Sequence, residues 1–171
     1  MALRKHALGA ALATALLGMA GTATAQEFQI NPGVNDAWFN PDTSGQGFFF
    51  NLFPDQGVFF MSWFTYDTER PPEDITAILG EPGHRWLTAA GSYTGGNQVV
   101  LDVTNTTGGI FDDPEPVQQN TGYGTITVTF ENCNSATVEY DIPSVDVSGT
   151  IPIQRVVTDN VPLCESLAED G

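Results

Sequence analysis

Past position 5 the chain has no lysine, past position 6 it has a single histidine, His84, and it holds two cysteines, Cys133 and Cys164. Each shortage excludes something. Once Arg4 and Lys5 leave with the N-terminal leader described below, three arginines (Arg70, Arg85, Arg155) face 21 carboxylates, a net charge of −18. Such a surface repels phosphate backbones and anionic lipid, so nucleic acid is not a partner. Ser-His-Asp chemistry would have to pass through His84, which follows the turn pair Pro82-Gly83, and no Gly-x-Ser-x-Gly elbow is present. Two cysteines and one histidine do not make a zinc site. No stretch beyond residue 25 keeps a useful helical period, because Gly, Pro, Asn and Thr recur too often.

Residues 1–25 have the layout of a secretory leader. Arg4 and Lys5 supply the charged start, an Ala/Leu-rich stretch follows, and Ala23-Thr24-Ala25 is a small-x-small cleavage site. The expectation is an exported, periplasmic or extracellular chain of one domain, residues 26–171, not embedded in a membrane. In that compartment Cys133 and Cys164 are expected to pair. The loop between them would contribute roughly 3–4 kcal/mol by chain entropy, tying the C-terminal tail to a β-turn.

Strand signals fill the remainder. Gln46–Phe53 and Gly57–Asp67 predict a hairpin around Pro54-Asp55-Gln56-Gly57. His84–Thr94 with Gln98–Thr107, and Thr125–Glu131 with Ala136–Ile142, predict two more. Val147–Val157 adds a last strand. In the later strands Ile126, Val128 and Phe130 alternate with Thr125, Thr127 and Thr129, and Val138, Tyr140 and Ile142 with Thr137, Glu139 and Asp141. This is the pattern of half-buried antiparallel strands. The fold class is therefore all-β: an antiparallel meander of about seven to eight strands, closed as a barrel or folded as a sandwich to remove its edges. Two loops interrupt it, Thr68–Gly83 and Gly108–Gly122. A membrane barrel needs an apolar exterior, and here the outward parity of the later strands carries Thr, Asp and Glu.

The main clue to function is a concentration of rings. Of the 18 aromatic residues, 11 fall between Trp38 and Tyr66, on both parities of the first hairpin. A one-sided sheet needs one apolar parity, so the surplus parity is where a partner would sit. Candidate ligand-binding residues are Trp38, Ser44, Phe50, Trp63, Phe64, Tyr66 and Trp86. The partner would be a protein, a glycan or a small apolar ligand. The first reading is a non-catalytic binding or interaction module; the alternatives are a small-ligand barrel lined by Phe50, Trp63, Phe64 and Trp86, and a glycan-active enzyme. No catalytic set stands out. Asp42-Thr43-Ser44-Gly45 is not in the order of an aspartic-protease motif and reads as a turn. Asp112-Asp113-Pro114-Glu115 offers carboxylates to Ca²⁺ without the spacing of an EF-hand loop, and a solvated acidic loop is the simpler reading. No other cofactor is implied. Arg155 shares parity with Ile151 and Ile153, so it points inward and demands a carboxylate partner. Arg85 beside Trp86 could stack on a ring.

The order of motifs resembles a functionally uncharacterised group of exported β-rich proteins of Gram-negative bacteria. The resemblance rests on Trp38-Phe39-Asn40-Pro41 with Ser44-Gly45-Gln46-Gly47, Trp63-Phe64-Thr65-Tyr66-Asp67, Trp86-Leu87-Thr88-Ala89 with Gly91-Ser92-Tyr93-Thr94-Gly95, and Ile151-Pro152-Ile153-Gln154-Arg155. It implies export and a β-fold, and no particular activity. The run Trp38, Phe39, Asn40 with Ser44 is also similar to the first strand of avidin-like barrels, which implies architecture alone.

Overall fold

A computed structural model describes residues 27–169; the leader lies outside the described residues. The chain is an eight-stranded antiparallel barrel in which every strand pairs with its sequence neighbour and the last pairs with the first. The strands are β1 (Asp36–Phe39), β2 (Gly47–Phe53), β3 (Val58–Tyr66), β4 (His84–Ser92), β5 (Gln98–Thr107), β6 (Gln118–Asn132), β7 (Ser135–Ile142) and β8 (Val147–Arg155). A meander closed in this way has no free edge.

Three elements differ from the sequence reading. The first strand, Asp36–Phe39, is only four residues long and carries no alternation to detect. β6 begins at Gln118, so the loop before it is shorter than expected and a polar stretch, Gln-Gln-Asn-Thr, is strand. The tail carries a helix where no helical stretch was expected: Val161–Glu169, α1. Asn160 precedes it and Pro162 sits in its first turn, where a missing N–H costs nothing.

Alternation decides the inside. Phe48, Phe50 and Leu52 of β2, Phe59, Met61 and Trp63 of β3, and Val99, Leu101 and Val103 of β5 are buried. Ile126, Val128 and Phe130 of β6 and Ala136, Val138 and Ile142 of β7 complete the core. Phe130 is its hub, with ring centroids 5.6 Å from Trp38, 5.9 Å from Phe50 and 6.2 Å from Phe59. Pairs at such spacing add about 0.5–1.5 kcal/mol each beyond area burial. The interior is thus packed with side chains, while the outward parity of β6 and β7 carries Thr, Glu and Asp. A lipid-embedded barrel has the opposite arrangement. No described helix is long and apolar enough to cross a membrane.

One end of the barrel is sealed. A 3-10 turn, Pro32–Val34, and α1 lie across it, in contact so close that a Cβ on Gly33 would fall 2.4 Å from the Cα of Cys164. Cys164 is bridged to Cys133 in the β6–β7 turn. Asn31 is buried and fully engaged: its amide donates to the carbonyls of Gln29 and Cys164, and its oxygen accepts from the N–H of Gly33.

Arg155 holds this end together. β8 and β1 share only two paired positions, Trp38 with Arg155 and Phe39 with Gln154. At the first, the guanidinium lies 4.7 Å from the Trp38 ring centroid. Its Nη1 donates to Asp36 at 2.7 Å, its Nη2 to the Gly33 carbonyl at 2.6 Å, and its Nε to the Cys133 carbonyl. Four segments therefore meet on one side chain that is 2% exposed.

Arg155→Ala removes these bonds and leaves Asp36 without its counter-ion, so a loss of about 3–5 kcal/mol is expected in urea unfolding. Arg155→Lys recovers only part of it, because an ammonium cannot reproduce the fork. A variant within about 0.5 kcal/mol of the parent would remove Arg155 from this role. Reducing Cys133–Cys164 is expected to cost roughly 3–4 kcal/mol.

Candidate functional site

The opposite end is open. The barrel core stops at Trp63, which is 6% exposed and stacks below on Phe48 at 5.4 Å and sideways against Tyr140 at 5.3 Å. Above it lies a cavity of about 750 Å³, within the ordinary range for small-ligand sites. Strand ends build its wall. Thr65 and Tyr66 come from the end of β3, Arg85 to Leu87 from the start of β4, Asn105 to Thr107 from the end of β5, and Tyr140 and Ile142 from β7. Asn40, Thr43 and Gln46 of the β1–β2 loop close the remaining side.

β5 and β6 extend past a register shift at Val103/Thr104 as a two-stranded ribbon reaching Thr107 and Gln118. The ribbon raises one wall of the cavity, which explains why polar residues form strand there. Tyr140 is placed by its cross-strand partner Gly149: a Cβ there would stand 2.6 Å from the tyrosine hydroxyl. The Ser-Gly-x-Gly motif also has a structural role. Gly45 has φ +83°, and the Tyr66 hydroxyl occupies the space where its Cβ would be.

Charge in the lining is locally cancelled. Asp67 is the one carboxylate among the described lining residues, and Arg85 pairs with it at 2.5 Å. Arg85 also donates to the carbonyls of Pro82 and His84, so it is engaged with oxygens and not with a ring. The Nδ1 of His84 accepts the N–H of Glu81 at 3.2 Å. The other polar groups are neutral hydroxyls and amides. Thr65 donates to Gln46 at 2.8 Å. Among the described residues, the hydroxyls of Tyr123 and Tyr140, the Asn105 amide and the Trp63 indole N–H line this cavity without a protein partner, and none is buried away from solvent. At the sealed end, by contrast, the Trp38 indole donates to the Val34 carbonyl at 3.1 Å.

The sequence-predicted residues divide among three places. Trp63, Tyr66 and Trp86 line the cavity. Trp38 and Phe50 belong to the packed core, each 1% exposed. Phe64 lies on the outer face with Phe49, their rings edge-to-face at 5.8 Å, and Phe64 is also the cross-strand partner of Trp86. Ser44 is exposed in the β1–β2 loop, next to lining residues but not one of them. Tyr123, Tyr140, Asn105 and Thr150 also line the cavity and were not foreseen. The inward parity of Val138, Tyr140 and Ile142 carried the signal for Tyr140. Among the described residues no three His, Cys, Asp or Glu side chains converge on a metal position, and Asp113 in the acidic loop accepts the N–H of Glu115.

No protein-family profile, curated protein or solved structure matches the chain.

Gly149→Val is expected to push Tyr140 into the cavity, costing about 1–3 kcal/mol in urea unfolding and shifting the Trp63 indole resonance. An unchanged Trp63 signal would contradict the Tyr140–Gly149 contact.

Proposed function

We propose that the protein is an exported binding protein that takes one small ligand in the open mouth of its barrel. The observation that carries this reading is the cavity above Trp63, built from strand ends and closed below by solid core. An eight-stranded barrel is the size that either fills with side chains or holds one small ligand; here the lower half does the first and the upper half is free for the second. Export is supported by the leader-like residues 1–25 and by the disulfide. The apolar interior and polar outer parity support a chain that is not embedded in a membrane. One lining carboxylate, already paired with Arg85, favours binding over a paired-carboxylate glycan hydrolysis.

The second reading, a module that docks another protein, draws on the outer face of the first hairpin. Phe49, Phe64 and Trp86 are about half exposed and adjacent there. Isolated exposed rings are ordinary, but a contiguous group marks a contact surface.

A fragment screen separates the two. Asn105 lines the mouth on the ribbon beyond the packed core, so Asn105→Trp obstructs the cavity without disturbing the core. Fragments are expected to raise the melting temperature of the parent; a ligand at a hundred times its Kd adds about 2.7 kcal/mol. They should not raise that of Asn105→Trp. Fragments that stabilise both proteins equally, and lose their effect in Phe64→Ser, would transfer the function to the outer face.

A further inference from the structure

We propose that the ligand of the barrel mouth is a neutral saccharide of one to a few rings; this rests on the small-ligand reading above. The charge, depth and polar groups of the mouth point to it, excluding anions, cations and apolar chains.

Anions are disfavoured by the surrounding charge of −18 carried by the chain without its leader. The single lining arginine, Arg85, is also bound to Asp67 and to two backbone carbonyls. Cations would be drawn by the distant field, yet the mouth offers them only Asp67, whose charge Arg85 already meets. Long apolar chains need depth, and depth is absent: beneath Trp63 the rings of Phe48, Phe50 and Phe59 fill the barrel. An apolar occupant would also cover the hydroxyls of Tyr123 and Tyr140 and the Asn105 amide without bonding them, a net loss against water.

What remains is a neutral molecule with both a C–H face and many hydroxyls. Trp63 supplies an aromatic surface at the floor and Tyr140 another on the wall. The hydroxyl and amide groups between them match hydroxyls that both donate and accept. A pyranose presents that combination, and the cavity of about 750 Å³ has room for more than one ring.

The three tryptophans make the test internal to the molecule. Each gives one indole N–H signal in a nitrogen-15 correlation spectrum, and that of Trp38, bonded to Val34 at the sealed end, is a control for the fold. The exported protein would be titrated at millimolar concentration with maltotriose, galactotriose and triacetylchitotriose as neutral sugars. Sialyllactose represents anions and laurate represents apolar chains. At least one neutral trisaccharide is expected to shift the Trp63 signal saturably while Trp38 stays fixed. Asn105→Ala and Tyr140→Phe should each weaken that binding about tenfold, the loss expected for one hydrogen bond to a ligand. If laurate or sialyllactose moves Trp63 and no neutral sugar does, the saccharide inference is overturned and the small-ligand reading stands. If no probe moves Trp63 while fragments also fail to discriminate Asn105→Trp from the parent, both fall.

Discussion

Everything in this molecule depends on closing the barrel between its last strand and its first, and a single buried cation does most of that closing. β1 is four residues long and meets β8 at two positions. Two ladder positions are a weak seam for a cylinder of eight strands. Arg155 compensates by gripping sideways: the Trp38 ring beneath it, Asp36 on β1, Gly33 in the preceding turn and Cys133 in the β6–β7 turn. A buried guanidinium is costly unless its nitrogens are bonded and a carboxylate balances the charge; here each of the three nitrogens donates and Asp36 supplies the carboxylate. Trp38 is thereby explained as a structural ring, whatever its neighbours in the aromatic run do.

The two ends of the barrel treat polar groups in opposite ways. At the sealed end Asn31, Arg155 and the Trp38 indole are all bonded within the protein. At the open end the tyrosine hydroxyls and the Trp63 indole face space. These groups are open to solvent and not buried, so a ligand can take the place of the water that meets them. The core between the ends insulates one from the other: Phe130, Phe50 and Phe59 form a rigid floor on which the mouth is built.

The fold was legible where alternation was long. Ile126 to Phe130 and Val138 to Ile142 announce their inward faces residue by residue, and Arg155 declared its burial by sharing the parity of Ile151 and Ile153. Legibility failed where tertiary context replaced pattern. β1 is too short for a period, the start of β6 is wet on both sides because it stands in the ribbon beyond the barrel, and α1 is held by Cys164 and the contact at Gly33. Its own cues, Asn160 before it and Pro162 in its first turn, mark an element of nine residues, too short to show a helical period. The aromatic hairpin separated cleanly by parity, Phe48, Phe50, Phe59 and Trp63 inward, Phe49 and Phe64 outward. What a linear reading could not reach was depth: Phe50 and Trp63 face the same interior, yet only Trp63 meets the cavity. That distinction comes from position along the barrel axis. The lining from Asn105, Tyr123 and Thr150 likewise comes together only when eight strand ends converge.

The sealed end also carries both ends of the described chain. Phe28 packs on Phe130 and Ile30 bonds Gly96 there, and α1 closes the same face, crosslinked to the β6–β7 turn. The barrel is therefore polar in the geometric sense, with its attachments behind and its opening in front. Anything joined at either end of the described residues, whether a surface, a tag or a neighbouring domain, would start from the face opposite the mouth. The protein can be tethered from behind and still present its opening outward to the medium.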